Sequence, residues 1–125
     1  MDKSLKERLE HCEIDVEQAV HRFADNEELY LSCLEMFADD PTMIELKQAI
    51  DECRWDEAFT AAHAMKGVTG NMGCASLFHT TAEMVIRIRN GQLVGINQVY
   101  EEMKHNYDEI VVAIRQYYIA KGECI

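Results

Sequence analysis

Apolar residues recur at three- and four-residue steps along most of the chain, and no run alternates strictly between apolar and polar. That period belongs to helices rather than to half-buried strands. It predicts helices over about 15–24, 26–39, 42–53, 55–71, 75–90 and 95–119, the first two of them short. Punctuation between them is sparse. Asp40-Pro41 reads as an N-cap followed by proline in a first turn, Gly70-Asn71-Met72-Gly73 as a helix end and tight connection, and Asn90-Gly91-Gln92 as a further turn. Amphipathic helices joined by short loops predict an all-α fold, an antiparallel four-helix bundle with short additional N-terminal helices. The last four segments supply its long elements.

Length and composition narrow this reading. The 125 residues suit one domain, taken as 1–125 with its informative core at about 13–119. Hydrophobic residues at 48% and charged residues at 28% form an ordinary globular balance. Lys and Arg number 12 against 23 Asp and Glu, for a net charge of −11. Such a body repels phosphate backbones and anionic lipid, so neither nucleic acid nor membrane is expected as a partner. The five cysteines are scattered, without a C-x-x-C pair, which fits a reducing, cytoplasmic setting. The charged start Met1-Asp2-Lys3-Ser4 is no signal peptide, and Met1 favours a free-standing chain over a segment of a larger one. The tail 121–125 is expected to fray, and the seven Met are expected chiefly as core filler.

The helix over 55–71 carries the chemistry. Trp55, Ala58, Ala62, Met65, Thr69 and Met72 form a core stripe. At about 100° per residue, His63, Lys66, Gly67 and Gly70 share a second face. Each glycine weakens a helix by up to about 1 kcal/mol relative to alanine. Close approach by another body explains two of them beside an imidazole, because it needs a surface free of side chains. A neutral imidazole is a competent nucleophile near pH 7, and phosphorylating it adds about two negative charges that Lys66, one turn on, can meet.

The stretch Ala62-His63-Ala64-Met65-Lys66-Gly67-Val68-Thr69-Gly70-Asn71-Met72-Gly73 resembles the signature of the histidine-containing phosphotransfer (Hpt) domain, H-x-x-K-G followed by small residues and N-x-G. H-x-x-K alone arises by chance in roughly one chain in four of this composition, whereas the whole string is specific. Ile14-Asp15-Val16, the run from Ala24 to Tyr30 and Trp55-Asp56-Glu57-Ala58 extend the likeness over roughly 13–92. The resemblance implies a four-helix core and a phosphorelay intermediate that takes a phosphoryl group on His63 from a receiver-domain aspartate and passes it to another receiver. Lys66 would orient the phosphate, and Gly67 and Gly70 would leave room for the receiver. Asn71 and Gly73 would end the helix and set the turn. The partners implied are a response-regulator receiver domain, a hybrid sensor histidine kinase, or both, with a monomer as the working unit. No cofactor is expected in this chain; Mg²⁺ belongs to the partner receiver domain. The chain would be modified rather than turn over as an enzyme.

One position departs from the family. Where many members carry Glu or Gln beside the histidine, a gap-free count reaches Val85, which cannot accept a hydrogen bond. Ring orientation would then fall to a backbone carbonyl, water or Thr81, with slower or less strongly oriented transfer. Arg87 and Arg89 follow, either as a small positive island suited to an acidic receiver or as a solvated pair. Three rival readings compete with this one. A di-metal bundle needs two E-x-x-H pairs and only Glu102-x-x-His105 occurs; His11, His21, His79 and His105 read as surface or satisfied polar residues. A kinase fragment would need a phosphate-cradling loop. An Hpt-like module that binds a receiver or kinase without relaying phosphate is the remaining alternative.

Overall fold

The computed structural model describes residues 1–122; Glu123, Cys124 and Ile125, part of the predicted frayed tail, lie outside the described residues. Side-chain caps start the early helices. Asp2 accepts from the Ser4 and Leu5 amides ahead of α1 (Lys3–His11), Asp15 from Gln18 ahead of α2 (Val16–Arg22), and Asn26 from Leu29 ahead of α3 (Glu27–Ala38). α4 (Thr42–Asp51) starts one residue later than the Asp40-Pro41 reading expects: Pro41 is itself the N-cap rather than a first-turn residue, and Asp40, one position earlier, accepts from the Thr42 amide at 2.8 Å. The remaining helices are α5 (Trp55–Met72), α6 (Ala75–Arg89) and α7 (Ile96–Ala120). The all-helical expectation holds: among the described residues no strand forms, and one isolated bridge joins Ile14 to Cys74.

α1 was not anticipated. Its apolar content is a single pair, Leu5 and Leu9, too little for a periodicity signal, yet both are buried against the rest of the bundle. Arg8 donates to Gln116, linking α1 to α7. Two helices end earlier than predicted for one reason. Ala24 and Asp25 after α2, and Cys53 after α4, adopt positive φ between 54° and 60°. Left-handed residues stop a helix as glycine does, but without glycine's signature in the sequence.

α4, α5, α6 and α7 are linked by short connections, and each packs on the next, with α4 also against α7. All seven helices contribute to one apolar cluster. Met43, Met65, Met72, Met84 and Met103 are buried in it, as the core-filler reading expects, while Met36 is exposed. Buried tyrosine hydroxyls find carbonyls: Tyr30 donates to Met72 at 2.9 Å, Tyr100 to Met43 at 3.0 Å and Tyr107 to Phe37 at 2.6 Å. These bonds pin α3, α4 and α7 together and tie α3 to the end of α5. Among the described residues no helix is long and apolar enough to cross a membrane.

Burial raises the pKa of all three phenols and of the buried Cys74 thiol. The Cys74 thiol is pushed up to about 12 and the Tyr107 phenol to about 12, and Tyr30 is raised as well. In the unfolded chain the same groups ionise near their ordinary values of 9 and 10. Below pH 9 both states hold these protons and stability is full. From about pH 9 for Cys74 and about pH 10 for Tyr107, up to about 12, only the unfolded state releases the proton, so folding weakens by about 1.4 kcal/mol per pH unit for each group within its own window. The urea unfolding midpoint should hold steady from pH 7 to about 9 and fall steeply by pH 10.5, with Cys74→Ala removing the earliest part of the fall. A midpoint unchanged to pH 11 would contradict this.

Candidate functional site

α5 starts without a side-chain cap, but Asp56 and Glu57 in its first turn complement the helix dipole. Ala58, Ala62, Met65, Thr69 and Met72 are buried, while Trp55, assigned to the same stripe from sequence, is only half-buried. The opposite face holds an exposed His63, a half-buried Lys66, an exposed Gly67 and a half-buried Gly70. The predicted second face therefore exists, and its members are brought together by one helix.

The two glycines have different surroundings. A Cβ built on Gly67 meets nothing within 4 Å, so no packing inside the chain requires glycine there. A Cβ on Gly70 would lie 3.4 Å from the Phe78 ring of α6, and the Gly70 carbonyl accepts from the Arg22 guanidinium at 2.5 Å. Gly70 thus has neighbours within the fold on both counts. Gly73 is the left-handed C-cap at φ +75°, and its Cβ would come within 2.9 Å of the Ala19 Cβ on α2. Asn71 is exposed and still inside α5, which runs one residue beyond the predicted end; Gly73 alone makes the turn.

α6 returns beside α5 in one register. Phe78 lies on Gly70, and Arg89 sits over Phe59 with its guanidinium carbon 5.6 Å from the ring centroid. Eleven residues separate the two positions on each helix, which places His63 level with Val85, as the gap-free count expects. The placement of these α6 side chains corrects the sequence reading, however. Val85 is 1% exposed and Thr81 fully buried, its hydroxyl donating to the Leu77 carbonyl at 2.6 Å. Both belong to the core, so neither offers its side chain to a docking partner, and the Thr81 hydroxyl is already engaged. Arg87 is also corrected: it pairs with Glu83 at 3.1 Å and donates to the Val94 carbonyl, so its charge is compensated and it braces the α6–α7 loop.

Three other cations lie along this face. Among the described residues Lys66 has no ion-pair partner, whereas Lys6, Lys47 and Lys104 pair with Glu17, Asp51 and Asp108. Arg22 is bound to a carbonyl, and Arg89 lies over an aromatic ring; neither forms an ion pair among the described residues. The sequence reading missed Arg22, which only the packing of α2 on α5 brings here. It also missed Phe59, whose ring lies 5.8 Å from the His63 ring at a 33° tilt. Four-residue spacing on one helix was the available signal. Phe78, Ala82 and Ile86 form a partly exposed apolar strip on α6 alongside. Beside it, between α2 and the α5–α6 turn, lies an open groove of about 310 Å³ lined by Arg22, Gly70, Gly73 and Phe78 among others.

The remaining histidines, His11, His21, His79 and His105, are exposed, with His21 against Asp25 and His105 against Glu109. Among the described residues no three His, Cys, Asp or Glu side chains group so as to hold a metal ion. The arrangement is an accessible nucleophilic imidazole flanked by uncompensated cations and a bare helix surface, on a body of opposite charge.

Compared with known protein families, residues 6–113 match the family model of the Hpt domain. No curated protein and no solved structure matches significantly.

The glycine surroundings lead to opposite stability effects. Gly67→Ala should leave the fold intact and raise its stability by up to about 1 kcal/mol. Gly73→Ala should cost more than about 1 kcal/mol, since the strained φ and the Ala19 contact act together. Urea unfolding of the two variants beside the native chain checks both signs.

Proposed function

The chain belongs to the Hpt domain family, a family of phosphotransfer modules in two-component signalling that carry phosphate without catalytic activity of their own, and on that premise we propose that it is a phosphorelay intermediate with His63 as phosphoacceptor. A receiver domain charged on its aspartate docks over His63, Lys66 and Gly67. The neutral imidazole attacks the aspartyl phosphate, and the phosphoryl group then passes to the aspartate of another receiver. The partner supplies the carboxylate and its Mg²⁺; this chain supplies the nucleophile in place and a cation for the phosphoryl oxygens. The working unit is a single chain in the cytoplasm.

The observation that carries this reading is Gly67. It lies next to Lys66 on the His63 face, it weakens its helix, and nothing inside the chain needs it to be glycine. A partner surface that must come within contact distance of the imidazole accounts for it. The uncompensated Lys66, Arg22 and Arg89 suit the acidic pocket of such a partner, and the Phe78–Ile86 strip supplies apolar contact area beside them.

The test uses receiver domains charged by a small phosphodonor in Mg²⁺. Acid-labile, base-stable phosphate should appear on the native chain and not on His63→Gln. Gly67→Gln, which should fold normally, is expected to lower the transfer rate at least about tenfold by holding the receiver off. Receiver binding without label on the native chain would instead show a module that binds without relaying.

A further inference from the structure

A transferring imidazole must be held at a defined angle, and the usual holders are absent here. Among the described residues no hydrogen bond or ion pair reaches the His63 ring. Val85, level with it, is apolar and buried, and the Thr81 hydroxyl is committed to Leu77. The ring contact the imidazole does have is with Phe59, one turn earlier, at 5.8 Å between centroids and 33° between planes. Phe59 is in turn fixed. It packs partly buried against the core, and Arg89 reaches across from α6 to lie over its ring. Arg89 has no carboxylate partner among the described residues that would draw it elsewhere.

We propose that Phe59 is the positioning residue of the site, restricting rotation of the His63 ring and stabilising the charge that ring acquires on phosphorylation. The proposal rests on the reading of His63 as phosphoacceptor. In the step, the lone pair of one imidazole nitrogen attacks phosphorus. The N–P bond forms as the P–O bond to the aspartate breaks, and the electron pair leaves on the carboxylate. The other ring nitrogen keeps its proton, so the imidazole ends as a cation. An aromatic face attracts a cation within about 6 Å and a neutral ring less strongly. The contact is therefore stronger in the transition state and product than in the ground state, which is the condition for accelerating the step. An aliphatic side chain at 59 would fill the space without this preference.

The experiment compares the full native chain with Phe59→Leu and Phe59→Tyr; Phe59→Met replaces the leucine variant should that chain not fold. His63 ring protons are followed by NMR, and single-turnover transfer from charged receiver is measured over a range of receiver concentrations. The leucine chain should lose the ring-current shift at His63. Its maximal transfer rate should fall about fivefold, with the half-saturating receiver concentration unchanged. The tyrosine chain should recover the ring-current shift and bring the transfer rate back to within about twofold. A native transfer rate in the leucine chain, or a tyrosine chain as slow as leucine, would overturn the positioning role while label on the native chain keeps the acceptor reading. No label on the native chain would overturn the acceptor reading, and the positioning role with it.

Discussion

α5 has to satisfy neighbours on one side and keep the other side bare. α2, α3, α4 and α6 all pack on it, and it accommodates them with two alanines, Ala58 and Ala62, that are completely buried. Small side chains let partner helices approach closely, so the core is built around α5 from one half of its circumference. The other half is left to His63, Lys66 and Gly67. Because the buried half is held by five residues over four turns, the position of the imidazole is set by the whole bundle rather than by a loop. A helix is also the more precise platform for a reacting group.

The ends of α5 are secured by different means. At its C-terminal end the left-handed Gly73 turns the chain directly into α6, and three contacts gather there: Tyr30 on the Met72 carbonyl, Arg22 on the Gly70 carbonyl, and Ala19 against Gly73. α2 and α3 thus act as a brace on the hairpin of α5 and α6. That is a physical reason for short N-terminal helices in a fold whose long elements already close on themselves.

Much of this was legible in the amino-acid order. The six predicted helices occur, and the His63 face follows directly from four residues and a 100° step. The misses have specific causes. α1 shows a single apolar pair, and its stability comes from docking, which periodicity does not report. The left-handed ends after α2 and α4 use Ala24, Asp25 and Cys53, none of which announces a stop. At the site, Arg22 depends on a tertiary contact across 48 residues, invisible to local spacing. Thr81, Val85 and Arg87 were placed at the correct height along α6, but height does not determine which way a side chain points. Arg87 reads as free charge from its place in the sequence, but Glu83, one turn before it, compensates it. Phe59 lies at four-residue spacing from His63, but a phenylalanine beside a core stripe reads as packing from sequence alone.

The three uncompensated cations have a consequence in terms of range. The body carries −11 overall, so an acidic partner at a distance meets repulsion, whereas at contact it meets Lys66, Arg22 and Arg89. Screening separates the two. At physiological ionic strength the field of the body fades over about 8 Å, while pairs that touch and exclude water are weakened far less. Dilute buffer therefore lengthens the reach of the repulsion, and strong salt erodes the contact. An acidic partner would therefore associate fastest in between, so ionic strength itself sets how such a surface discriminates approach from arrival.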